Sequence, residues 1–242
     1  MMKLSFLSWN IWFNEDQREE RTKHLLEQAR TFQPDFIALQ EVMEDSLEVI
    51  KKNLGDYYLI GAPFQTRYDN IILSRYACVE WYRYMLPRTN MGRSYLIGQF
   101  IMPDDRILNV GTFHLESVFN GNPGERLKGD QLSYIDSISP QRTVFMGDTN
   151  LKTQNHFPEK DIFIRINRPL AYEYTYAGET NLNIRNRKLN SRFDRIYLKT
   201  DEPNRIKTFL LTGTEATFYY QSKNRKQQPS DHYGVYTEID FN

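Results

Sequence analysis

The chain has 242 residues, of which 40% are hydrophobic and 14% aromatic, so it is long and apolar enough to bury a substantial core. Lysine plus arginine and aspartate plus glutamate both number 31, which excludes a nucleic-acid binder that works through bulk positive charge. Cys78 is the only cysteine, so an intrachain disulfide is excluded and a reducing compartment, cytoplasmic or nuclear, is expected, with delivery into a host cell left open.

The N-terminal part of the chain is predicted to alternate strands and helices. Residues 3–9 have the apolar pattern of a strand, and residues 18–32 carry apolar side chains at helical spacing. A short buried strand is predicted over 35–41, and a helix over 44–54 is ended by Gly55. The opening unit is therefore β-α-β-α.

The rest of the chain is richer in strands. Five β-rich runs separated by turn residues are predicted at 57–60, 70–73, 78–86, 95–101 and 107–113. An amphipathic helix over 124–138 leads to a strand over 143–146. Three later strands are predicted at 193–198, 206–211 and 233–239.

These elements predict an α/β (α+β) fold of two mixed β-sheets packed face to face as a sandwich, with the helices on the outside. No linker or repeat divides the sequence, so we expect one domain over 1–242 and a monomer. The purely apolar runs are far shorter than the roughly 20 residues that cross a bilayer, so no membrane association is expected.

Polar and ionisable residues follow the apolar strands at six places. Each place by itself has an ordinary structural interpretation, such as a turn former or a capped core histidine. Together they supply carboxylates, amides and two histidines that a common sheet edge would bring into contact. The six segments are Ser8-Trp9-Asn10, Leu39-Gln40-Glu41, His114 to Ser117, Gly147 to Asn150, Arg192 to Arg195 and Ser230 to Gly234.

This set of side chains is rich in oxygen ligands and contains no thiol and no histidine pair at i, i+4 spacing. Such a set suits a hard cation such as Mg²⁺, with Mn²⁺ as a substitute, rather than zinc. A carboxylate that holds the cation on a phosphate oxygen, a second that orients water, and imidazoles that stabilise charge are the components of phosphoester hydrolysis.

In this order, the six segments resemble the motifs of the endonuclease/exonuclease/phosphatase superfamily, whose fold is that of deoxyribonuclease I. Within it the chain most closely resembles the tyrosyl-DNA phosphodiesterase 2 catalytic domains, and the match covers nearly the whole chain. The segments that favour this subfamily are Asn90-Met-Gly-Arg93, Glu125-Arg126 behind His-Leu-Glu-Ser117, and Tyr174-Thr-Tyr176 with Asn181-Leu182.

The resemblance implies a role for each motif residue. Glu41 and Asp231 would bind the metal, with Asn10 close to the metal and phosphate. Asp148 and Asn150 would place the attacking water. His232, partnered by Asp231 or Asp194, would stabilise the transition state. The residues expected to contact the scissile phosphate or the substrate are His114, Ser117 and Arg93.

Two positions depart from the family pattern. Trp12 stands where many members carry an acidic residue, so a second metal is not expected. Lys152 stands where arginine is common, and a lysine offers a phosphate a point charge instead of a two-pronged donor. We count Lys152 among the substrate-binding residues, with a changed phosphate affinity or leaving-group preference.

Basic residues are concentrated in 183–199, and Lys223, Arg225 and Lys226 form a second cluster. Charge runs are often just solvated surface, but both of these flank site motifs. We expect Arg185, Arg187 and Lys188 to bind the phosphates of a single-stranded nucleic-acid end.

The sequence thus favours an enzyme that hydrolyses 5′-phosphotyrosyl or related 5′ adducts at nucleic-acid ends, leaving a 5′ phosphate. One alternative keeps the chemistry with another substrate, as a nuclease or a phosphoinositide or sphingomyelin phosphoesterase. Another is a non-catalytic binding module, which is disfavoured because every site position holds a competent residue type.

Overall fold

The structure, a computed structural model, describes residues 2–117, 124–152, 156–167 and 170–242. In the first half, the elements are β1 (Met2–Asn10), α1 (Arg18–Phe32), β2 (Phe36–Val42), α2 (Glu44–Asn53), β3 (Tyr58–Ile60), β4 (Asp69–Ser74), β5 (Cys78–Met85), β6 (Ser94–Ile101) and β7 (Ile107–His114). In the second half, they are α3 (Gly124–Ile138), β8 (Thr143–Asp148), α4 (Ile162–Arg165), β9 (Tyr176–Ala177), β10 (Asn190–Ser191), β11 (Asp194–Lys199), β12 (Asn204–Thr212), β13 (Phe218–Tyr220), β14 (Arg225–Gln227) and β15 (Gly234–Phe241).

The strands form two large mixed sheets and two short ribbons. The first sheet has the order β12-β15-β1-β2-β4-β3, and the second has the order β11-β8-β7-β6-β5. The pairs β1–β2 and β7–β8 are parallel, and the other pairs are antiparallel. The ribbons are β9–β10 and β13–β14.

The main core lies between the two sheets, where side chains such as Phe6, Phe36, Val144 and Val235 are fully buried. On the outer face of the first sheet, α1 and α2 bury apolar side chains against β1, β2 and β4. On the outer face of the second sheet, α3 does the same. The predicted sandwich with outside helices is therefore confirmed, and each predicted helix and strand is present within a few residues of its expected bounds. The short elements α4, β9, β10, β13 and β14 were not predicted.

One edge of the sandwich collects the ends of six strands. The parallel pairs β1–β2 and β7–β8 each end there, because parallel strands joined by a helix have their carboxyl ends on the same side. The strands β11 and β15 are antiparallel to β8 and β1, so they begin at this edge. Asp194, the first residue of β11, pairs with Asp148, the last residue of β8. The polar segments predicted from the sequence therefore meet at one place.

Among the described residues, no helix has the length and hydrophobicity that a transmembrane span needs.

Candidate active site

Asp148 lies at the centre of the site and is almost completely buried. Its Oδ2 accepts a hydrogen bond from Asn10 Nδ2 at 3.0 Å. The same oxygen lies 3.3 Å from His114 Nε2 and 3.8 Å from His232 Nε2. The other oxygen, Oδ1, accepts from the backbone N–H of Asn150 at 2.8 Å. One carboxylate therefore joins side chains from both sheets.

The residue before Asp148 must be a glycine. A Cβ on Gly147 would lie 1.9 Å from the backbone oxygen of Phe113, because β8 approaches β7 closely at this point. The absence of a side chain lets Asp148 pair in register with His114 at the ends of these two strands. The glycine of the Gly-Asp-x-Asn segment thus sets the position of its aspartate.

His232 is held between two aspartates. Its Nδ1 lies 2.8 Å from Asp194 Oδ2, which decides between the two partners considered from the sequence. Asp194 is itself fixed by Thr175, whose Oγ1 accepts the Asp194 N–H at 3.0 Å. Burial by itself would lower the pKa of His232, but Asp194 and Asp148 raise it well above its usual value. His232 is therefore an imidazolium at neutral pH.

The segment that carries His232 is tied to the end of β1. Trp9 Nε1 donates to the backbone oxygen of His232 at 3.0 Å. Ser230 Oγ donates to the backbone oxygen of Asn10 at 2.6 Å and accepts from the His232 N–H at 3.2 Å. Residues separated by more than two hundred positions are thus held at fixed distances from each other.

The second imidazole, His114, is neutral. Burial and the neighbouring Arg93 guanidinium lower its pKa well below the usual value. Arg93 NH1 lies 2.9 Å from His114 Nδ1, and because a guanidinium only donates, Nδ1 must be the acceptor. The proton of the neutral ring is therefore on Nε2, which faces Asp148.

Glu41 comes from the other sheet and has an unusual backbone conformation. Its φ is +60°, at an irregularity in the β2–β4 pairing that turns the side chain out of the ladder. Glu41 Oε2 accepts from the Phe13 N–H at 2.9 Å, and Oε1 lies 3.9 Å from His114 Nε2. Burial and the nearby Asp231 carboxylate raise the pKa of Glu41 to about 7.

The Glu41 and Asp231 carboxylates fit a bound cation. The pKa of Asp231 is also raised, chiefly by burial, and in the described part of the chain its buried Oδ1 has no hydrogen-bond partner. A hard divalent ion bound between these two carboxylates would offset the repulsion that raises the pKa of Glu41. The residues present therefore suit a hard divalent cation.

Asp148, Asp194 and His232 also bring possible ligand atoms within 4.8 Å of one another. We do not assign a cation there, because the short contact of Asp194 with His232 is a hydrogen bond from a protonated ring. A cation would have to displace that proton, whereas one bound at Glu41 and Asp231 would offset the repulsion between their carboxylates.

The remaining predicted contact residues are less enclosed. Asn150 has a φ of +49°, is half-buried, and donates from Nδ2 to the backbone oxygen of Leu115 at 3.2 Å. Ser117 is half-buried beyond β7. Lys152 is exposed, and its backbone N–H donates to Glu125 Oε2 at 3.0 Å.

Aromatic side chains that were not predicted to be site residues border the cluster. The Phe13 ring, 42% exposed, stacks on Tyr68 with centroids 5.1 Å apart, and the Arg93 guanidinium lies 5.2 Å from the Tyr68 ring. On the other side, Tyr176 contacts His232 edge-on with centroids 5.1 Å apart. Tyr176 belongs to a segment noted from the sequence. Tyr68 does not follow a strand end, so the sequence pattern did not indicate it as a site residue.

Arg21 is a further residue that the sequence did not indicate. Arg21 lies on α1 and is 1% exposed, and its guanidinium lies 4.7 Å from the centroid of the Trp12 ring. The backbone of Trp12 has a φ of +64°. Its N–H groups donate to the backbone oxygens of Ile11, Trp12, Asn14, Asp16 and Pro229. Arg21 thus fixes the loop after β1, and an arginine on an amphipathic helix gives no sign of this in the sequence.

A basic cavity of about 530 Å³ lies near Trp12. Its lining includes Arg185, Arg187, Lys223 and Arg225. The guanidinium of Arg187 donates to the backbone oxygens of two residues in its own segment, so it also shapes the loop. Lys188 is exposed and does not line the cavity.

Comparison with known proteins identifies a family and related proteins of similar sequence and fold. The profile of the Endonuclease/Exonuclease/phosphatase family matches residues 7–232. Two curated relatives, both called Tyrosyl-DNA phosphodiesterase 2, are 26% identical over 98% of this chain in Gallus gallus and 27% identical over 97% in Danio rerio. The chain spans 66% of the length of each relative.

A solved structure of D. rerio TDP2 complexed with single strand DNA product is similar to the whole chain. Its TM-score is 0.87, with 24% identity over 99% of this chain and 100% of that one. The two proteins therefore share a fold.

Proposed function

The chain belongs to the Endonuclease/Exonuclease/phosphatase family, and on that premise we propose that it is a Mg²⁺-dependent phosphodiesterase that hydrolyses 5′-phosphotyrosyl linkages at nucleic-acid ends. The observation that carries the proposal is the cluster in which Asn10, His114 and His232 approach Asp148 beside Glu41. The name of the two curated relatives supports the choice of a tyrosyl-DNA substrate.

Asp148 and Asn150 are the residues that we assign to the attacking water. Asp148 carries the carboxylate that accepts a proton from water, and Asn10 and the Asn150 N–H hold that carboxylate in place. The Asn150 side chain donates from Nδ2 to Leu115, which leaves its amide oxygen as an acceptor for the second water proton. The water oxygen bonds to phosphorus as the bond to the phenolic oxygen breaks.

The two imidazoles supply positive charge and a donor for the pentavalent transition state. His232 is protonated because of its two aspartates, so it offers a full charge to the phosphate oxygens. His114 offers the Nε2 proton whose position is set by Arg93. Donors that are already oriented stabilise developing charge without reorganisation at the moment of reaction.

A phenol is a good leaving group, and the site has a surface that suits one. The stacked Phe13 and Tyr68 rings lie next to Glu41, because the Phe13 N–H binds the Glu41 carboxylate. Arg93 lies over the Tyr68 ring and can stabilise a departing phenolate. These contacts support an aryl substituent on the scissile phosphate.

Glu41 and Asp231 would hold the divalent cation, which supplies Lewis-acid neutralisation of charge on a phosphate oxygen when it is bound. Glu41 is held ready by the Phe13 N–H. Asp231 follows Ser230, whose hydroxyl is bonded to the end of β1. The chain therefore brings both ligands to the site from separate, anchored segments.

The basic cavity supports a single-stranded nucleic-acid tail as the rest of the substrate. Lys223 shares the cavity lining with Arg185 and Arg225, and burial lowers its pKa, opposed by the Asp16 carboxylate and assisted by these two positive charges. Crowded cations are stabilised by an anion such as a backbone phosphate. In the cavity lining, the expected Arg185 and Arg187 are thus joined by Arg225 of β14 and by Lys223 from the turn before it.

The proposal is tested by turnover of a 5′-phosphotyrosyl oligonucleotide beside three controls. These are the same oligonucleotide with a 3′-linked tyrosine, an unmodified oligonucleotide and a phosphoinositide, each with Mg²⁺ and with chelator. We expect Mg²⁺-dependent release of tyrosine from the 5′-linked substrate alone. Preferred hydrolysis of any control would contradict the substrate assignment, and full activity in chelator would contradict the cofactor.

Charge reversal in the basic cavity is expected to weaken binding of the tail without changing the chemistry. The variant Arg185→Glu with Lys223→Glu should raise KM for a 5′-tyrosyl oligonucleotide about 10- to 100-fold, since a hydrogen bond to a charged group contributes about 1.5–3 kcal/mol. Hydrolysis of a small aryl phosphodiester that cannot reach the cavity should be unchanged. Lys188→Glu is the matched control, because Lys188 is exposed on the same segment outside the cavity.

The affinity for Mg²⁺ is expected to fall as the pH drops below about 7. Glu41 has a raised pKa of about 7, so below that pH a proton must leave the carboxyl group before the cation binds. Calorimetric titrations at pH 6, 7 and 8 should show a dissociation constant that rises towards tenfold per pH unit on the acid side and levels off above pH 8. A constant affinity from pH 6 to 8 would argue against Glu41 as a ligand.

A further inference from the structure

Glu116 is a buried carboxylate that the mechanism above does not use. It lies two residues beyond His114 and is 2% exposed. Its Oε1 accepts the N–H groups of Asn90 and Met91 at 3.0 and 3.1 Å, and its Oε2 accepts the Thr89 hydroxyl at 2.8 Å. Within the described residues it makes no ion pair, so these donors from one loop are what stabilises its charge.

The loop that surrounds Glu116, residues 87–93, lies between β5 and β6. Hydrogen bonds that involve Glu116 or its neighbour Gln131 hold both ends of this loop. At its far end, Thr89 Oγ1 accepts the Arg93 N–H at 2.8 Å, so the hydroxyl links the Glu116 carboxylate to the backbone of Arg93. At its near end, Gln131 of α3 donates to the Pro87 oxygen at 3.1 Å. The same Gln131 accepts the Glu116 N–H at 3.0 Å. Glu116 and Gln131 therefore hold the loop as a unit.

The side chain that depends on this loop is Arg93. Its guanidinium reaches back to His114 Nδ1, and the residue is 5% exposed. Because arginine has many rotatable bonds, the backbone at Arg93 must be fixed for the guanidinium to meet the imidazole at one angle. A displacement of about 1 Å in a catalytic group can reduce a rate about a hundredfold.

We propose that Glu116 is a positioning residue that fixes Arg93, and through Arg93 the proton on His114 Nε2, for the phosphodiester hydrolysis proposed above. Glu116 does not touch the reacting atoms. It acts through the Thr89 hydroxyl and the loop N–H groups, and its effect reaches the substrate through His114.

The test is a double-mutant cycle between Glu116→Gln and Arg93→Ala. Glutamine keeps the size of the side chain but has one acceptor oxygen, so it leaves loop donors unpaired. In the wild-type background, Glu116→Gln should lower kcat and kcat/KM together about 10- to 100-fold. In the Arg93→Ala background, Glu116→Gln should lower kcat by no more than about threefold, since no guanidinium remains to be positioned. An equal loss in both backgrounds would overturn the proposal.

A second pair of variants separates positioning from folding. Thr89→Val removes the hydroxyl that links Glu116 to the Arg93 backbone, so it should lower kcat and kcat/KM as Glu116→Gln does, and only when Arg93 is present. Thr89→Ser keeps the hydroxyl and should retain wild-type kcat. Asp240→Asn is the matched control, because Asp240 is a buried carboxylate on β15 that pairs with Lys207 and, among the described residues, has no bond to the loop of Arg93. It should lower the stability and leave kcat unchanged. A large kcat loss in Asp240→Asn, or none in Thr89→Val, would overturn the proposal.

A readout without substrate keeps this inference distinct from the proposed function. Nitrogen-15 spectra of the His114 ring report which nitrogen carries the proton. We expect the Nε2–H form in the wild type and a mixture of the two forms in Glu116→Gln and Thr89→Val. Retention of the wild-type form in both variants would refute the positioning role, even if the natural substrate proved to be another phosphoester.

Discussion

Asp148→Asn is expected to lower kcat by about two to four orders of magnitude, the usual loss when a positioned base or charge stabiliser is removed. The asparagine cannot accept a proton from water, and it removes one of the negative charges that keep His232 protonated. The measurement is steady-state turnover of the 5′-tyrosyl oligonucleotide at saturating Mg²⁺. The unfolding midpoint should stay close to that of the wild type.

His232→Ala should lower kcat by a similar factor. The double variant of Asp148→Asn with His232→Ala should lower kcat by much less than the product of the two single factors. Both groups act on the same transition state, and groups that act as a unit are strongly non-additive. Asp240→Asn is the control, because Asp240 is buried on β15 and pairs with Lys207 away from the site. Strictly multiplicative losses, or a comparable loss in Asp240→Asn, would indicate an effect through stability.

Glu41→Gln is expected to lower kcat about a hundredfold or more at limiting Mg²⁺, because Lewis-acid stabilisation contributes several kcal/mol to the transition state. The amide keeps an oxygen for the Phe13 N–H but loses the charge that binds the cation. The measurement is kcat as a function of Mg²⁺ concentration. Wild-type rates at limiting Mg²⁺ would show that Glu41 is not the ligand.

The same substitution is expected to stabilise the metal-free protein at pH 8. A carboxyl group whose pKa is raised to about 7 by burial destabilises the fold when it is ionised, and this penalty is present above pH 7 and absent well below it. The gain should be about 1–3 kcal/mol at pH 8 and near zero at pH 4. Urea unfolding in chelator measures it, with the exposed Glu44→Gln as a control that should show no such pH dependence.

The helices, the strands and the identity of the motif residues follow from the sequence. The periodicity of apolar residues is a local property, so the predicted bounds of α1 and α3 coincide with the observed ones. The segments that contain Asn10, Glu41 and Asp148 were recognisable because polar residues after an apolar strand are unusual. The topology then brings the strand ends to one edge.

The partners of those residues were decided only by the tertiary structure. His232 is bonded to Asp194, 38 positions away, rather than to its neighbour Asp231, which lies towards Glu41. The Asn10–Asp148 bond spans 138 positions. Neither distance is encoded by local spacing, because each depends on how the two sheets are placed against each other.

The same reason explains the residues that the sequence did not indicate. Arg21 lies on a helix and Tyr68 lies in a loop, and each acquires its role only where packing places it. The amino-acid sequence by itself determined which chemical groups this protein has and where the strands end. The packing of the sandwich decided which group faces which, because burial and charge proximity, and therefore the protonation of His114, His232 and Glu41, exist only after the chain has folded.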